Sequence, residues 1–301
     1  MSVGRLSLGT AQLGLAYGIA GGNRVLSEGE VTSILQAAVD LGVTAIDTAP
    51  VYGQAEQRIG YFLSEHDLVT DISVCTKLPT IGAIDPGRVE HVVEERLMGS
   101  LQRLRCDCID SYLIHDIADL QTYGDRLVDA LLRQREKGRL LDVGLSVYGP
   151  EDLETLAEFP ALNVVQHPFN LLDRRLLHGD GLNQLRLTGA KLQIRSVLLQ
   201  GLLGMEPGDV PESMPEARAA IAALRGVLGD FGLPLPQAAL AYALSLDADR
   251  VIVAADSADQ LEELLGAGDL ELPDELDDEL DGALGDLPAA VLDPRAWPSA
   301  G

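Results

Sequence analysis

Asp47, Tyr52, Lys77 and His115 are the residues whose types and placement could do chemistry. Asp47 ends the apolar run "VTAID", Lys77 ends "ISVCTK", and His115 ends "CIDSYLIH". Tyr52 lies in the loop after Asp47, directly before Gly53. A free phenol titrates near ~10 and is a poor acid at neutrality. An ammonium beside it favours the phenolate and lowers that value. Lys77 can supply this charge, Asp47 can hold Lys77 protonated, and His115 can orient a carbonyl or relay a proton. Tyr52 then becomes a general acid for a carbonyl oxygen. Such a site protonates oxygen and offers no electron pair to carbon. A reduction therefore needs a hydride donor from outside the chain, which points to nicotinamide. Singly, each residue has a plainer role as a turn cap, a loop aromatic, a solvated strand end or a core histidine. Their placement at successive strand ends is what favours chemistry. Acid–base chemistry without redox, by Asp47 and His115, is a further reading of the same residues.

The elements that would position them alternate regularly. Short apolar runs such as 5–9, 43–47, 72–77, 108–115, 140–146, 162–167, 191–198 and 250–255 read as strands. Amphipathic runs between them read as helices. "SEGEVTSILQAAVDLG" (27–42) has Ser27 as N-cap, Glu30 at capping-box spacing and Gly42 as stop. Further helices are expected over 55–65, 85–105, 173–189 and 257–267, with one running through Lys137. Strands too apolar to have a wet face, each followed by a helix, indicate a parallel sheet covered on both sides. Roughly eight such units in this length point to a closed (β/α)8 TIM barrel of the α/β class. An open doubly wound sheet is the alternative, but it would carry a Gly-rich phosphate loop that "GTAQLGLAYG" does not match. One barrel domain over about 5–267 is expected, followed by an acidic helix and tail over about 268–301. The tail carries the sole tryptophan, Trp297, and is either disordered or anchored over the barrel mouth.

Composition narrows the partners. The formal net charge is -25, with 47 acidic against 22 basic residues. That excludes a basic footprint for nucleic acid and disfavours anionic membrane surfaces. No apolar run reaches the roughly 18 residues of a membrane span, and the N-terminus lacks a signal-peptide pattern. Three cysteines without a CxxC pair suggest a reducing compartment and no metal site. A cytoplasmic protein acting on a small molecule is expected.

"LGTAQLG", "IDTAPVYGQAEQRIG", "VCTKL" and "DSYLIHD" resemble successive signatures of the aldo-keto reductase family, with the likeness running to about residue 267. "VGLSVYGPEDL", "VVQHPFNLLDRRL" and "IRSVLLQGLL" resemble a bacterial branch of it, often sugar-related or secondary-metabolic. The resemblance implies a (β/α)8 barrel with NADPH across its mouth. It implies a catalytic tetrad of Asp47, Tyr52, Lys77 and His115, with Tyr52 as the acid. Ser146 and Gln166 would bond the nicotinamide carboxamide. Arg195 falls where relatives place an aromatic under the ring. Gln200, Gly201 and Leu202 match the loop that closes over the pyrophosphate, and Gln260 and Glu263 match adenine-contacting positions. The substrate would be a small aldehyde or ketone. A nucleotide-binding sensor or regulatory subunit with little turnover is the alternative.

The sequence departs from the family after its last strand, in "VAADSADQLEELL". Ala254 replaces the usual Gly, and Asp256 stands where relatives often have Ser, Thr or Arg. No Lys or Arg follows between 251 and 270. An aspartate there would repel the 2′-phosphate of NADPH and accept bonds from a free ribose hydroxyl, so NADH is a candidate. Ser257 and nearby amides could still hold the phosphate. Substrate contacts are expected from 13–26, 116–124, 203–214 and the tail, with Tyr17, Asn23 and Arg24 as polar candidates.

Overall fold

The computed structural model describes residues 3–20, 24–178, 180–266 and 270–297. Eight strands form a closed, all-parallel barrel in chain order. They are β1 (Leu6–Gly9), β2 (Ala45–Asp47), β3 (Ser73–Leu78), β4 (Ile109–Ile114), β5 (Leu140–Ser146), β6 (Val164–Pro168), β7 (Lys191–Arg195) and β8 (Arg250–Val253). The β1–β8 pairing, Leu6 opposite Val251, closes the ring.

The helices are α1 (Ala11–Gly14), α2 (Glu28–Asp40), α3 (Ala55–Glu65), α4 (Val89–Leu104), α5 (Ile117–Tyr123), α6 (Asp125–Glu136) and α7 (Leu153–Glu158). After them come α8 (Gly181–Thr188), α9 (Pro215–Asp230), α10 (Leu235–Ser245), α11 (Ala258–Gly266), α12 (Leu276–Leu284) and α13 (Ala289–Leu292). The capping box of α2 is present as the sequence predicts, with Ser27 and Glu30 satisfying each other's backbone amides.

Strand register decides what the barrel encloses. Asp47 lies opposite Cys75, Lys77 opposite Leu113, Gly144 opposite Val164, and Gln166 opposite Gln193. Because side chains alternate along a strand, these residues share the inner face. Cys75, Leu113 and Val164 form a small apolar cluster separate from the main core. The main core lies between the strands and the helices. The polar Asp47, Lys77, Gln166 and Gln193 share that inner face, and Asp47 and Lys77 stand at or near the C-terminal ends of their strands, where barrel chemistry is built.

Three expected elements differ. The helix through Lys137 is two helices, because Gly124 between them takes a left-handed φ of 49°. The helix expected over 173–189 begins only at Gly181. Upstream, Asn170 Oδ1 accepts from the amides of Leu172 and Asp173, and buried Asp173 pairs with Arg175. Side-chain bonds of this kind compete with the helical ladder. The tail, expected to be either disordered or anchored over the mouth, folds into α13 and a 3-10 turn at Pro294–Ala296. The acidic helix α12 is pinned by Arg174 to Asp281 at 2.6 Å and by the Tyr242 hydroxyl to Asp277 at 2.5 Å.

Two loops touch backbone to backbone at the mouth. A Cβ on Gly14 would lie 1.7 Å from Tyr52 O, and one on Gly53 would lie 2.4 Å from Gly14 O. Gly14→Ala must therefore displace the Tyr52 loop. Overpacking of this kind costs about 2 kcal/mol or more, so a thermal melt should show the midpoint falling by roughly 4 °C or more.

Candidate active site

The C-terminal ends of the strands open into a cavity of about 610 Å³. Asp47, Tyr52, Lys77 and His115 all line it. Lys77, on β3, is 1% exposed. Its ammonium donates to Asp47 Oδ1 at 2.7 Å, Asp47 Oδ2 at 2.9 Å and Thr48 O at 3.0 Å. These three bonds use its three protons. Asp47 also accepts from Gln166 Nε2 at 2.6 Å, and Gln166 Nε2 donates in turn to Gln193 Oε1 at 3.0 Å. Thr10 Oγ1 donates to Asp47 O at 2.8 Å, tying β1 to the same residue.

Lys77 Nζ lies 5.5 Å from the Tyr52 ring centroid, and the Tyr52 and His115 rings meet edge-on at 6.4 Å. Burial opposes the charge on Lys77, but Asp47, with Tyr52 and Cys75, outweighs it and raises the ammonium above its ordinary value. Lys77 stays charged. Burial likewise raises Tyr52 above the ordinary phenol value; the Lys77 charge opposes this, and Asp47 counteracts Lys77. The Lys77 charge does favour the phenolate as expected, but burial outweighs it and Asp47 adds to burial, so the net shift is upward. Tyr52 holds its proton at neutral pH. Burial, then the Lys77 charge, lowers His115 to about 4, so its imidazole is neutral. It can orient an oxygen without competing as an acid.

Of the expected cofactor residues, Ser146, Gln166, Arg195, Gln200 and Gly201 line the cavity, as do Asp256, Gln260 and Glu263. Two do not. Leu202 is fully buried in the core, and Ser257 caps α11, its Oγ accepting from Gln260 N at 3.2 Å. Gln260 Oε1 accepts from Asp256 N at 2.9 Å. The loop after β7 is strained: Ser196, Leu199 and Gln200 have φ of 61°, 45° and 55°. The loop after β1 lies across it, with Ile19 N donating to Gln200 O at 3.1 Å.

Of the expected substrate segments, 116–124 does not line the cavity. It forms α5, whose Asp119 accepts from the amides of Ile81 and Gly82. Tyr17 does line it, and burial together with Tyr52 pushes its phenol up to about 12. Asn23 lies outside the described residues. Arg24 is exposed, paired with Glu30 at 2.7 Å, and close enough to Asp256 to influence it. Trp297 does not reach the mouth: its Nε1 donates to Val291 O at 3.3 Å, while Pro294 and Arg295 line the cavity. Sequence reasoning did not single out Gln12, Tyr148, Gln193 or Arg295. Gln12 and Tyr148 sit in the quoted "LGTAQLG" and "SVYG" stretches, but Gln193 and Arg295 carry no local signal.

A dinucleotide fits these residues on one observation. Gln12 Oε1, Gln166 Oε1 and Gln237 Oε1 are buried acceptors without a hydrogen-bond partner, and all three residues line the cavity. Unpaired buried acceptors are costly and await donors. The amide of Gln166 is oriented by Asp47 and Gln193, which leaves its oxygen free to accept from a ligand N–H.

The sequence model described as "Aldo/keto reductase family" matches residues 5–284. The chain belongs to the aldo/keto reductase family. The family comprises NAD(P)H-dependent oxidoreductases that act on small carbonyl compounds. Similar proteins include the aldo-keto reductase YhdN of Bacillus subtilis, 28% identical over 187 residues, which are 58% of this chain and 55% of that protein. Aldo-keto reductase str7 of Strobilurus tenacellus is 28% identical across 91% of this chain and 85% of its own length. Aldo-keto reductase yakc [NADP(+)] of Schizosaccharomyces pombe is 29% identical across 48% of this chain and 45% of its own. The chain thus spans about half the length of two of these relatives and most of the third. Among the described residues no helix is long and apolar enough to cross a membrane, and no acid, His or Cys cluster could hold a metal.

The ion pair can be tested by unfolding. Breaking one partner of a buried pair costs about 3–5 kcal/mol. Asp47→Leu and Lys77→Met should each lose that much in urea titrations. The double variant should lose clearly less than the two single losses combined.

Proposed function

We propose that the protein reduces an aldehyde or ketone to an alcohol, with Tyr52 giving its proton to the carbonyl oxygen. The observation that supports it most is the buried Asp47–Lys77 pair beside a protonated Tyr52 and a neutral His115. Bound nicotinamide supplies the hydride to the carbonyl carbon. As negative charge grows on oxygen, Tyr52 donates, with the fixed Lys77 charge favouring the phenolate that remains. His115 would hold the carbonyl oxygen, and Gln166 would orient the carboxamide. In the reverse sense the phenolate would accept the proton of an alcohol.

The cofactor reading favours NADH at least as strongly as NADPH. Asp256 and Glu263 line the cavity, and the nearby base Arg24 is already paired with Glu30. A 2′-phosphate near them would meet acids without a free cation. The NADP(+) in the name of the S. pombe relative is the opposing argument, so dissociation constants decide. NADPH binding more than about tenfold tighter (~1.4 kcal/mol) would overturn the preference.

Tyr52→Phe tests the mechanism. Turnover should fall by about a hundredfold or more, while the dissociation constant for NADH stays within about threefold. Undiminished turnover would remove Tyr52 from its role.

A further inference from the structure

Arg195 is a cation of this cavity that forms no ion pair among the described residues, although its charge reaches Asp293. It ends β7, half-buried, and donates to Val147 O at 2.9 Å and Ser196 Oγ at 3.0 Å, both neutral. Among the described residues no carboxylate comes within ion-pair distance of it, although other cavity cations are paired. Its charge reaches Tyr52, His115 and Tyr17, which places it at the reacting end. The acid lining this end is Asp47, which Lys77 neutralises.

A second guanidinium arrives from the tail. Arg295 lies 3.3 Å above the Tyr148 ring centroid and Arg195 lies 4.6 Å from the same centroid. Asp293 holds Arg295 through both oxygens, Oδ2 at 2.6 Å and Oδ1 at 3.0 Å. A chain of net charge -25 thus sets two guanidinium groups against one carboxylate, leaving a net positive patch beside its proton donor. A half-buried cation without a counter-charge is costly unless a ligand supplies one. The guanidinium fork matches the oxygens of a carboxylate or phosphate.

Resting on the reductase reading, we propose that the substrate is a carbonyl compound bearing an anionic group, carboxylate or phosphate. The anion pairs with Arg195, Arg295 guards the rim, and the carbonyl oxygen meets Tyr52. Arg195 and Arg295 act as specificity residues, separate from the groups that move the proton.

The test compares kcat/KM for para-carboxybenzaldehyde against its methyl ester, and for glyceraldehyde phosphate against glyceraldehyde. It uses the wild type, Arg195→Leu, Arg195→Lys and Arg295→Ala, with the NADH dissociation constant measured on each preparation. The wild type should prefer the anionic member of one pair by roughly tenfold or more. The pair showing the preference names the anion. The preference should approach unity in Arg195→Leu, survive in part in Arg195→Lys, and weaken in Arg295→Ala. Equal efficiency for charged and neutral members in the wild type would overturn the proposal. So would an NADH constant that worsens as much as the selectivity falls, which would assign Arg195 to the cofactor. A binding measurement separates this proposal from the reductase reading. Para-carboxybenzyl alcohol should raise the Tm of the wild-type NADH complex more than its methyl ester does, and this difference should vanish in Arg195→Leu. Anion binding without any aldehyde turnover would sink the reductase reading, and turnover without charge preference would sink this one.

Discussion

The structure depends on one constraint: a lysine and an aspartate are charged inside a barrel with little water to solvate them. A buried ammonium is tolerable only if all three of its protons are bonded and its charge is met. Asp47 and the carbonyl of Thr48 meet both conditions for Lys77. Lys77 therefore has no proton to spare for Tyr52. It acts on the phenol through charge alone, and Asp47 offsets much of that charge. The result is a tyrosine that keeps its proton until a neighbouring oxygen becomes basic enough to take it, which suits an acid that works only in the transition state.

The same constraint reaches beneath the site. Asp47 has a third donor, Gln166, whose amide is fixed by Gln193 on the next strand. Fixing the nitrogen leaves the oxygen unpaired and lining the cavity. In the proposed reaction, cofactor binding and proton donation would share one carboxylate. Cys75, also on the inner face, donates to Gln193 Oε1 at 3.6 Å, and burial with Asp47 keeps its thiol protonated. Around this neutral centre the cavity is uneven, with Arg195 and Arg295 near Tyr148 and with Asp256 and Glu263 on the β8 loop and α11.

The barrel was legible because a parallel strand buried on both faces reads as an apolar run, and the alternation with helices is regular. The tetrad was legible for the same reason: Asp47, Lys77 and His115 interrupt apolar runs at their ends. What stayed hidden depends on contacts distant in sequence. Arg295 reaches the mouth because the tail folds back as α13 and a short turn, which no local period announces. Gln193 matters through partners on β3 and β6. Leu202 and Ser257 sit in matching stretches, yet one faces the core and the other caps a helix. The direction of the Tyr52 shift could not be read either, since it is the outcome of burial against two opposite charges.

The measurement that tests the account most directly follows the hydrogen atoms. The protein would reduce an aldehyde with NADH deuterated at the transferable nicotinamide carbon, in ordinary water, and the alcohol would be analysed by mass spectrometry and NMR. The account predicts one deuterium on the carbinol carbon, delivered to a single face, with the hydroxyl proton drawn from solvent by way of Tyr52. An alcohol without deuterium at that carbon, or no alcohol although NADH binds, would contradict it.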